Sequence, residues 1–410
     1  MAKIRPFQAI RPEKSYGNVI PALPYDVFSD SEARAYVESH PGTFLTIDRP
    51  ETLFEAGHDM YAPEVYEKAN ETFESWIREG RFLTETTPCY YVYELTMEGR
   101  VQTGLVAASS VRDYENNVIL KHENTRADKE LDRIRHVDAL SAQTGPIFLA
   151  FRPVERVREI MAAAKKEAPL YDLTGEDKVT HRIYRIGGEE TIRELTNLFD
   201  AIDHTYIADG HHRAASAVKV SRMRRESLEK PTGEEEFEFF LSVLFPADEL
   251  KIYDYNRVVK DLNGYTPESF LREVGKMFTA IPSDEAVRPS KPHEFGMFLG
   301  GQWYRLNAKE SILSEDAVEG LDVSILQNAL LHPILGIGDP KTDRRISFVG
   351  GIRGLKELEM RASEGVSFSM YPTSMDELFR VADEHRLMPP KSTWFEPKLR
   401  SGFLIHRIER

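Results

Sequence analysis

The sequence predicts a mixed α/β chain of the α+β kind. Two periodicities point to it: apolar residues recur at helical spacing in "EVYEKANETFESWIREG" and run strand-like in "CYYVYEL". The third observation is their order, because strands and helices follow one another without the regular βα rhythm of a doubly wound sheet.

The elements can be taken in turn. "PALPYDVFS" is a proline-fixed turn in which Ser29 and Glu32 are spaced to cap the next helix. In "EVYEKANETFESWIREG", Val65, Ala69, Phe73, Trp76 and Ile77 share one helical face and Gly80 is a C-cap. "CYYVYEL" and "VQTGLVAAS" flank "TMEGR" as a hairpin. "RADKELDRIRHVDAL" keeps only a thin apolar stripe, as a solvated or a site-facing helix would. "TIRELTNLFDAI" sets Ile192, Leu195, Phe199 and Ile202 at helical spacing.

"YIA" then reads as a short strand, "DGHH" as a turn and "RAASAVKVSRMRRES" as a helix with its cations toward the C-terminal end. "RRESLEKPTGEEE" reads as a loop, and "FEFFLSVLF" with "LKIYDYNRVV" as a second hairpin across "PADE". Thr266 caps a helix with Pro267 at its first position. "RISFVGG", "LKELEMRAS", "GVSFSMYP" and "MDELFRVADEH" alternate strand and helix, with Ser374 and Glu377 as a capping box, and "GFLIHRI" is a buried strand.

Composition bounds the function. A chain of 410 residues outgrows one ordinary core, so more than one domain is expected. The divisions expected are an N-terminal α/β region at 1–115, a core at 116–285 and a C-terminal α/β region at 286–410. With 53 Lys and Arg against 67 Asp and Glu, the formal charge is −14. That argues against a nucleic-acid or anionic-membrane partner and leaves room for a local basic cleft. The single cysteine, Cys89, rules out an internal disulfide and suits a small buried hydrophobe. "MAKIRPFQAI" lacks a signal-peptide core, and no run approaches the ~18 apolar residues of a membrane span, so a cytoplasmic chain is expected.

The motif that folding alone does not require is "ADGHHR", Ala208 to Arg213. A metal site would draw on Asp203, His204 and Asp209, but His211 and His212 are adjacent, so their side chains diverge. A plain turn explains Asp209 and Gly210 but neither imidazole nor Arg213. An anion cradle uses every part. Asp209 and Gly210 turn the chain, the next helix start offers amides, and His211, His212 and Arg213 add donors for a phosphate.

Three further stretches carry chemistry of the same kind. "KHENTRADKELDR" gathers Lys121, His122, Glu123, Arg126 and Asp128, and "PALPYDVFS" presents Tyr25 and Asp26. "MPPKSTWFEPKLRSGF" offers Lys391, Ser392, Thr393, Lys398 and Arg400 in a segment stiffened by three prolines, and it is expected to reach the "ADGHHR" box. "GGIRG", Gly350 to Gly354, reads as a tight strand–helix turn. The phosphate loop G-x-x-x-x-G-K-[ST], G-x-G-x-x-G, H-E-x-x-H and G-x-S-x-G are all missing.

Taken in order, "PALPYDV", "HENT" with "KELDR", "YIADGHHR" and "MPPKSTWFEPKLRSG" resemble a conserved family known as domain of unknown function 1015. The Asp-Gly-His-His-Arg box is similar to that of the free-serine kinases in the ParB/sulfiredoxin superfamily. The resemblance implies a ParB/sulfiredoxin-like core with added N- and C-terminal segments. It also implies a nucleotide-dependent kinase acting on the hydroxyl of a small metabolite, with free L-serine the first candidate. On that reading Asp209 holds Mg²⁺, and Gly210, His211, His212, Arg213 and Arg126 bind the phosphates of ATP or ADP. Glu123 or His122 serves as the base, while Tyr25, Asp26, Lys391, Ser392, Thr393 and Lys398 bind substrate or anion. A nucleotide-sensing module and a metal-dependent hydrolase on Asp203, Asp209, His211 and His212 are the alternatives.

Overall fold

The computed structural model describes residues 1–410 apart from Arg126, Ser363 and Arg410, with the backbone alone at 127–129. Helices and strands mix through the chain, as the sequence predicts. They gather into two units. Unit one comprises Met1–Lys121, Thr125–Leu250 and Pro397–Arg410; unit two comprises His122–Asn124 and Lys251–Glu396. No helix among the described residues is long and apolar enough to cross a membrane.

Unit one is built on a sheet that has nine strands among the described residues. Its path runs Ile119–Leu120, Thr205–Asp209, Ile147–Phe151, Phe239–Pro246, Arg100–Ser110, Tyr90–Met97, Thr180–Ile186 and Tyr171–Thr174, and Ile4–Arg5 also pairs with Arg100–Ser110. The expected hairpin is there, with Met97 opposite Arg100. Its turn residues Glu98 and Gly99 have φ of 52° and 78°, the left-handed pair that matches the twist of the flanking strands. Phe239–Pro246 is apolar except for Ser242, and every position is buried. Leu149, Ile207 and Phe240 share a core with Leu195, Phe199, Ala214 and Val218 of two helices. A four-stranded sheet (Phe82–Thr84, Ala9–Pro12, Ile405–Arg407, Ala142–Gln143) packs with the helix Pro63–Arg78, whose Phe73 and Trp76 are buried as their spacing predicts.

Unit two carries an antiparallel six-stranded sheet in the order Phe278–Ser283, Gln302–Ala308, Glu294–Leu299, Val366–Ser369, Tyr255–Val259, Ile346–Gly350. Thr266 and Ser374 close capping boxes on the helices Pro267–Met277 and Met375–Asp383. Val258, Trp303, Val349 and Leu358 form its core.

The structure departs from the sequence reading in three places. The units do not follow boundaries after 115 and 285. The nine-stranded sheet interleaves strands from both sides of residue 115, and the six-stranded sheet does so across residue 285, so either cut would break main-chain ladders. Phe239–Pro246 and the chain after it form no hairpin, for they belong to different sheets. "LKIYDYNRVV" is broken at Asp254, whose buried carboxylate accepts from Arg288 Nη1 at 2.9 Å and Asn256 Nδ2 at 2.7 Å. Alternation marks a strand but not its partner. Finally, of the stretch "DGHH" read as a turn only Gly210 turns the chain, for Asp209 ends the strand Thr205–Asp209 and His211 and His212 open the helix His211–Glu226.

Candidate phosphate-binding site

The box lies in unit one at the junction of the strand Thr205–Asp209 and the helix His211–Glu226. The strand's register shifts between Ile207 and Asp209, a bulge that re-aims the carboxylate at the strand end. Gly210 then takes φ 91° and ψ 31°, the left-handed region, and caps the helix with no side-chain hydrogen bond. An α-helix leaves its first N–H groups without intrahelical acceptors. No acidic residue stands in this helix's first turn, so nothing within it offsets the positive end of its dipole.

Asp209 stands at that end. Its Oδ1 accepts the Gly210 N–H at 2.7 Å, and its Oδ2 accepts Lys398 Nζ at 2.9 Å. Burial works to raise the carboxyl, but Lys398, Arg213 and the Gly210 N–H outweigh it and hold it well below the usual carboxylate range. Asp209 is therefore ionised at neutral pH. Each oxygen accepts one hydrogen bond and keeps a second lone pair, and the Lys398 ammonium stands beside Oδ2.

Arg213 folds back over the turn. Its Nη1 donates to Pro146 O at 2.7 Å, and a Cβ on Gly210 would lie 3.4 Å from its Nε. A Cβ on Gly145 would come within 2.9 Å of Ser401 Oγ and 3.2 Å of Arg213 Nη1, so a larger residue there would force one of them to shift. Arg213 also lines a cavity of about 30 Å³ with Tyr25, Asp48, Arg133, His136 and Thr144. That volume takes a water or two and no metabolite, so the cavity is a polar floor and no substrate compartment.

The floor is tightly wired. Arg133 sits 4.1 Å from the Tyr25 ring centroid, donates from Nε to Asp132 Oδ2 at 2.8 Å, and is joined by Thr144 Oγ1 donating to Asp48 Oδ1 at 2.9 Å. Burial pushes the Tyr25 phenol up, with Arg133 opposing, so Tyr25 stays a donor. Burial and then Arg133 push His136 down, and the neutral imidazole faces Ile47 O from Nε2 at 2.8 Å. Of the two alternatives for helix Ala127–Leu140 the site-facing one holds: Glu130, Asp132, Arg133 and His136 are buried.

Other expected residues are placed as follows. His211 is buried and His212 half-buried on the first turn of the box helix, while Asp26 is exposed. The proline-stiffened segment divides between the units. Lys398 and Arg400 belong to unit one; Lys391, Ser392, Thr393, His122 and Glu123 belong to unit two. Arg400 is spent on structure. Its Nε donates to His181 Nε2 at 3.1 Å and its Nη2 to Asp177 Oδ2 at 3.1 Å. In unit two, His122 Nε2 lies 3.3 Å from Thr393 Oγ1, and Ser392 Oγ donates to Pro389 O at 2.6 Å. Glu123 is half-buried, and Arg126 lies outside the described residues. The sequence reading missed Asp48, Arg133, His136, Thr144 and Gly145; "SAQTGP" held the one local hint, a glycine between Thr144 and Pro146.

A family model described as protein of unknown function (DUF1015) matches residues 4–324. The chain belongs to the DUF1015 family. No curated protein matches this DUF1015 chain. Among solved structures, it is similar to a free serine kinase variant in complex with ADP, at 13% identity and TM-score 0.36, over 72% of this chain and 88% of that one. It is also similar to SbnI with a C-terminal truncation from Staphylococcus aureus (11%, TM-score 0.37, 71% and 82%). A conserved hypothetical protein from Pyrococcus furiosus resembles it too (12%, TM-score 0.34, 73% and 94%). Likeness at this level leaves any functional reading to the residues.

Proposed function

We propose that this DUF1015 protein binds a nucleotide through its terminal phosphates at the start of the box helix, and transfers a phosphoryl group to the hydroxyl of a small metabolite. One observation carries the reading: an ionised Asp209 bridged to Lys398 at a glycine-opened helix start, with Arg213 folded over the turn. A phosphate there meets amides, the helix dipole and two cations. In the transfer, the acceptor oxygen bonds to phosphorus, the bond to the ADP or AMP leaving oxygen breaks, and the hydroxyl proton passes to a base. Such transfer needs positioned charge more than covalent help from the protein. Lys398 and Arg213 supply that charge in this proposal; Mg²⁺ belongs to the donor nucleotide. Free L-serine is the first acceptor to try.

Phosphorus NMR of the full chain with ATP or ADP and L-serine tests the proposal. Growth of a phosphate-monoester signal from serine is expected, and its rate falls in Arg213→Ala. Bound nucleotide without transfer to any hydroxyl offered would instead support sensing without turnover, a reading favoured by the direct pairing of Asp209 with Lys398. The hydrolase alternative has less support: Asp203 is exposed, and the five-residue strand ending at Asp209 spans roughly 16 Å.

A further inference from the structure

Five arginines among the described residues are more than nine-tenths buried: Arg49, Arg133, Arg224, Arg257 and Arg400. Four have a carboxylate in ion-pair contact, namely Asp30 and Glu51 for Arg49, Asp132 for Arg133, Asp138 for Arg224 and Asp177 for Arg400. Arg257, in unit two, has none among the described residues. It is 3% exposed, and its hydrogen bonds go to two carbonyl oxygens, Tyr255 O from Nη1 and Lys391 O from Nη2 at 3.0 Å. A desolvated charge without a counter-charge is the costliest kind of buried group, so a protein that keeps one has a use for it.

The surroundings say what the use is. Arg257 projects from the strand Tyr255–Val259, directly opposite Phe348, and its guanidinium is 5.4 Å from that ring. The segment after Pro390 lies along the same strand. Lys391 takes φ 61°, its carbonyl accepts from Arg257, and its Nζ stands 5.6 Å from the Tyr255 ring centroid. Trp394 packs edge-on to Tyr255 at 5.0 Å and over Gly350, where a Cβ would come within 2.8 Å of the indole. Thr393 Oγ1 and His122 Nε2 meet 3.3 Å apart on the same segment. Two cations, a hydroxyl and an imidazole thus converge on one segment of unit two. Burial also pushes Arg257 down to about 10, as expected of a cation awaiting its anion.

We propose that unit two holds a phosphoryl-binding site, with Arg257 as the receiving charge and Lys391 and Thr393 beside it. A planar carboxylate is satisfied by one arginine fork, whereas cations and neutral donors spread over two chain segments suit a tetrahedral dianion.

The test is calorimetric titration of the full chain with inorganic phosphate in an Arg213→Ala, Lys398→Met background, which removes the box's cations. Phosphate binding is expected to persist there and to weaken at least about tenfold when Arg257→Met or Lys391→Ala is added. Arg257→Met should also melt higher than its parent without ligand, since it removes an unpaired buried charge. Parallel titrations with glycerol phosphate and with ADP tell a free phosphate from a phosphate ester or a nucleotide. The proposal is overturned if no phosphate binding survives in the background, or if Arg257→Met leaves the affinity unchanged. Should Arg257→Met fail to fold, unchanged affinity in Lys391→Ala decides against it.

Discussion

Lys398 and Asp209 each explain the other's position. An ammonium beside the start of a helix is unfavourable by itself, and a carboxylate there, half withdrawn from water, gains from both the dipole and the cation. The pair has a pH signature. The Asp209 carboxyl is depressed in the folded chain, so its contribution to stability is complete above the unfolded value near ~4 and is lost as pH falls through the folded value. The difference in melting temperature between wild type and Asp209→Asn should therefore shrink on acidification from about pH 5 to about pH 3. A constant difference across that range would mean the carboxylate is not held by the charges around it.

At the scale of elements, the box is a strand, a bulge, one left-handed glycine and a helix. Gly210→Ala should cost about 1–2 kcal/mol, because φ 91° forces an L side chain toward the following carbonyl. Denaturant unfolding measures that loss, and an unchanged midpoint would show that the turn relaxes freely. Much at this scale was legible in the sequence. Apolar spacing gave the helices Pro63–Arg78 and Glu189–Asp200, capping pairs gave the starts at Ser29, Thr266 and Ser374, and "DGHHR" gave the helix start. Partners across space were less legible. The helix of Arg133 and His136 reads as solvated or site-facing, and only the cavity they line with Tyr25 decides between the two. The partner of Phe239–Pro246 could not be read, because strand pattern carries no address. Lys398 was expected at the box on charge alone and lies there; Arg400, expected beside it for the same reason, is instead held by His181 and Asp177.

The whole molecule carries −14 while its candidate ligand is an anion. The long-range field repels that ligand, and only the local cations attract it. Raising the salt from about 10 mM to about 150 mM shortens the Debye length from ~30 Å to ~8 Å. The association rate of ADP should then rise, opposite to what a globally basic nucleotide binder shows. Stopped-flow fluorescence measures it, and a rate that falls with salt would place the controlling charges elsewhere. Domain organisation was legible only as a plural. Length implied more than one core, but strands that return to a sheet from distant parts of the chain, such as Ile405–Arg407, leave no mark in local sequence.

The central claim is that a nucleotide's phosphate is held at the start of the helix His211–Glu226. A crystal structure of the full chain with ADP tests it most directly. The expected result places a terminal phosphate oxygen ~2.7–3.1 Å from backbone N–H groups at His211 to Arg213, with Lys398 and Arg213 beside it. ADP bound elsewhere, with Asp209, Lys398 and the helix start holding only water, would contradict it.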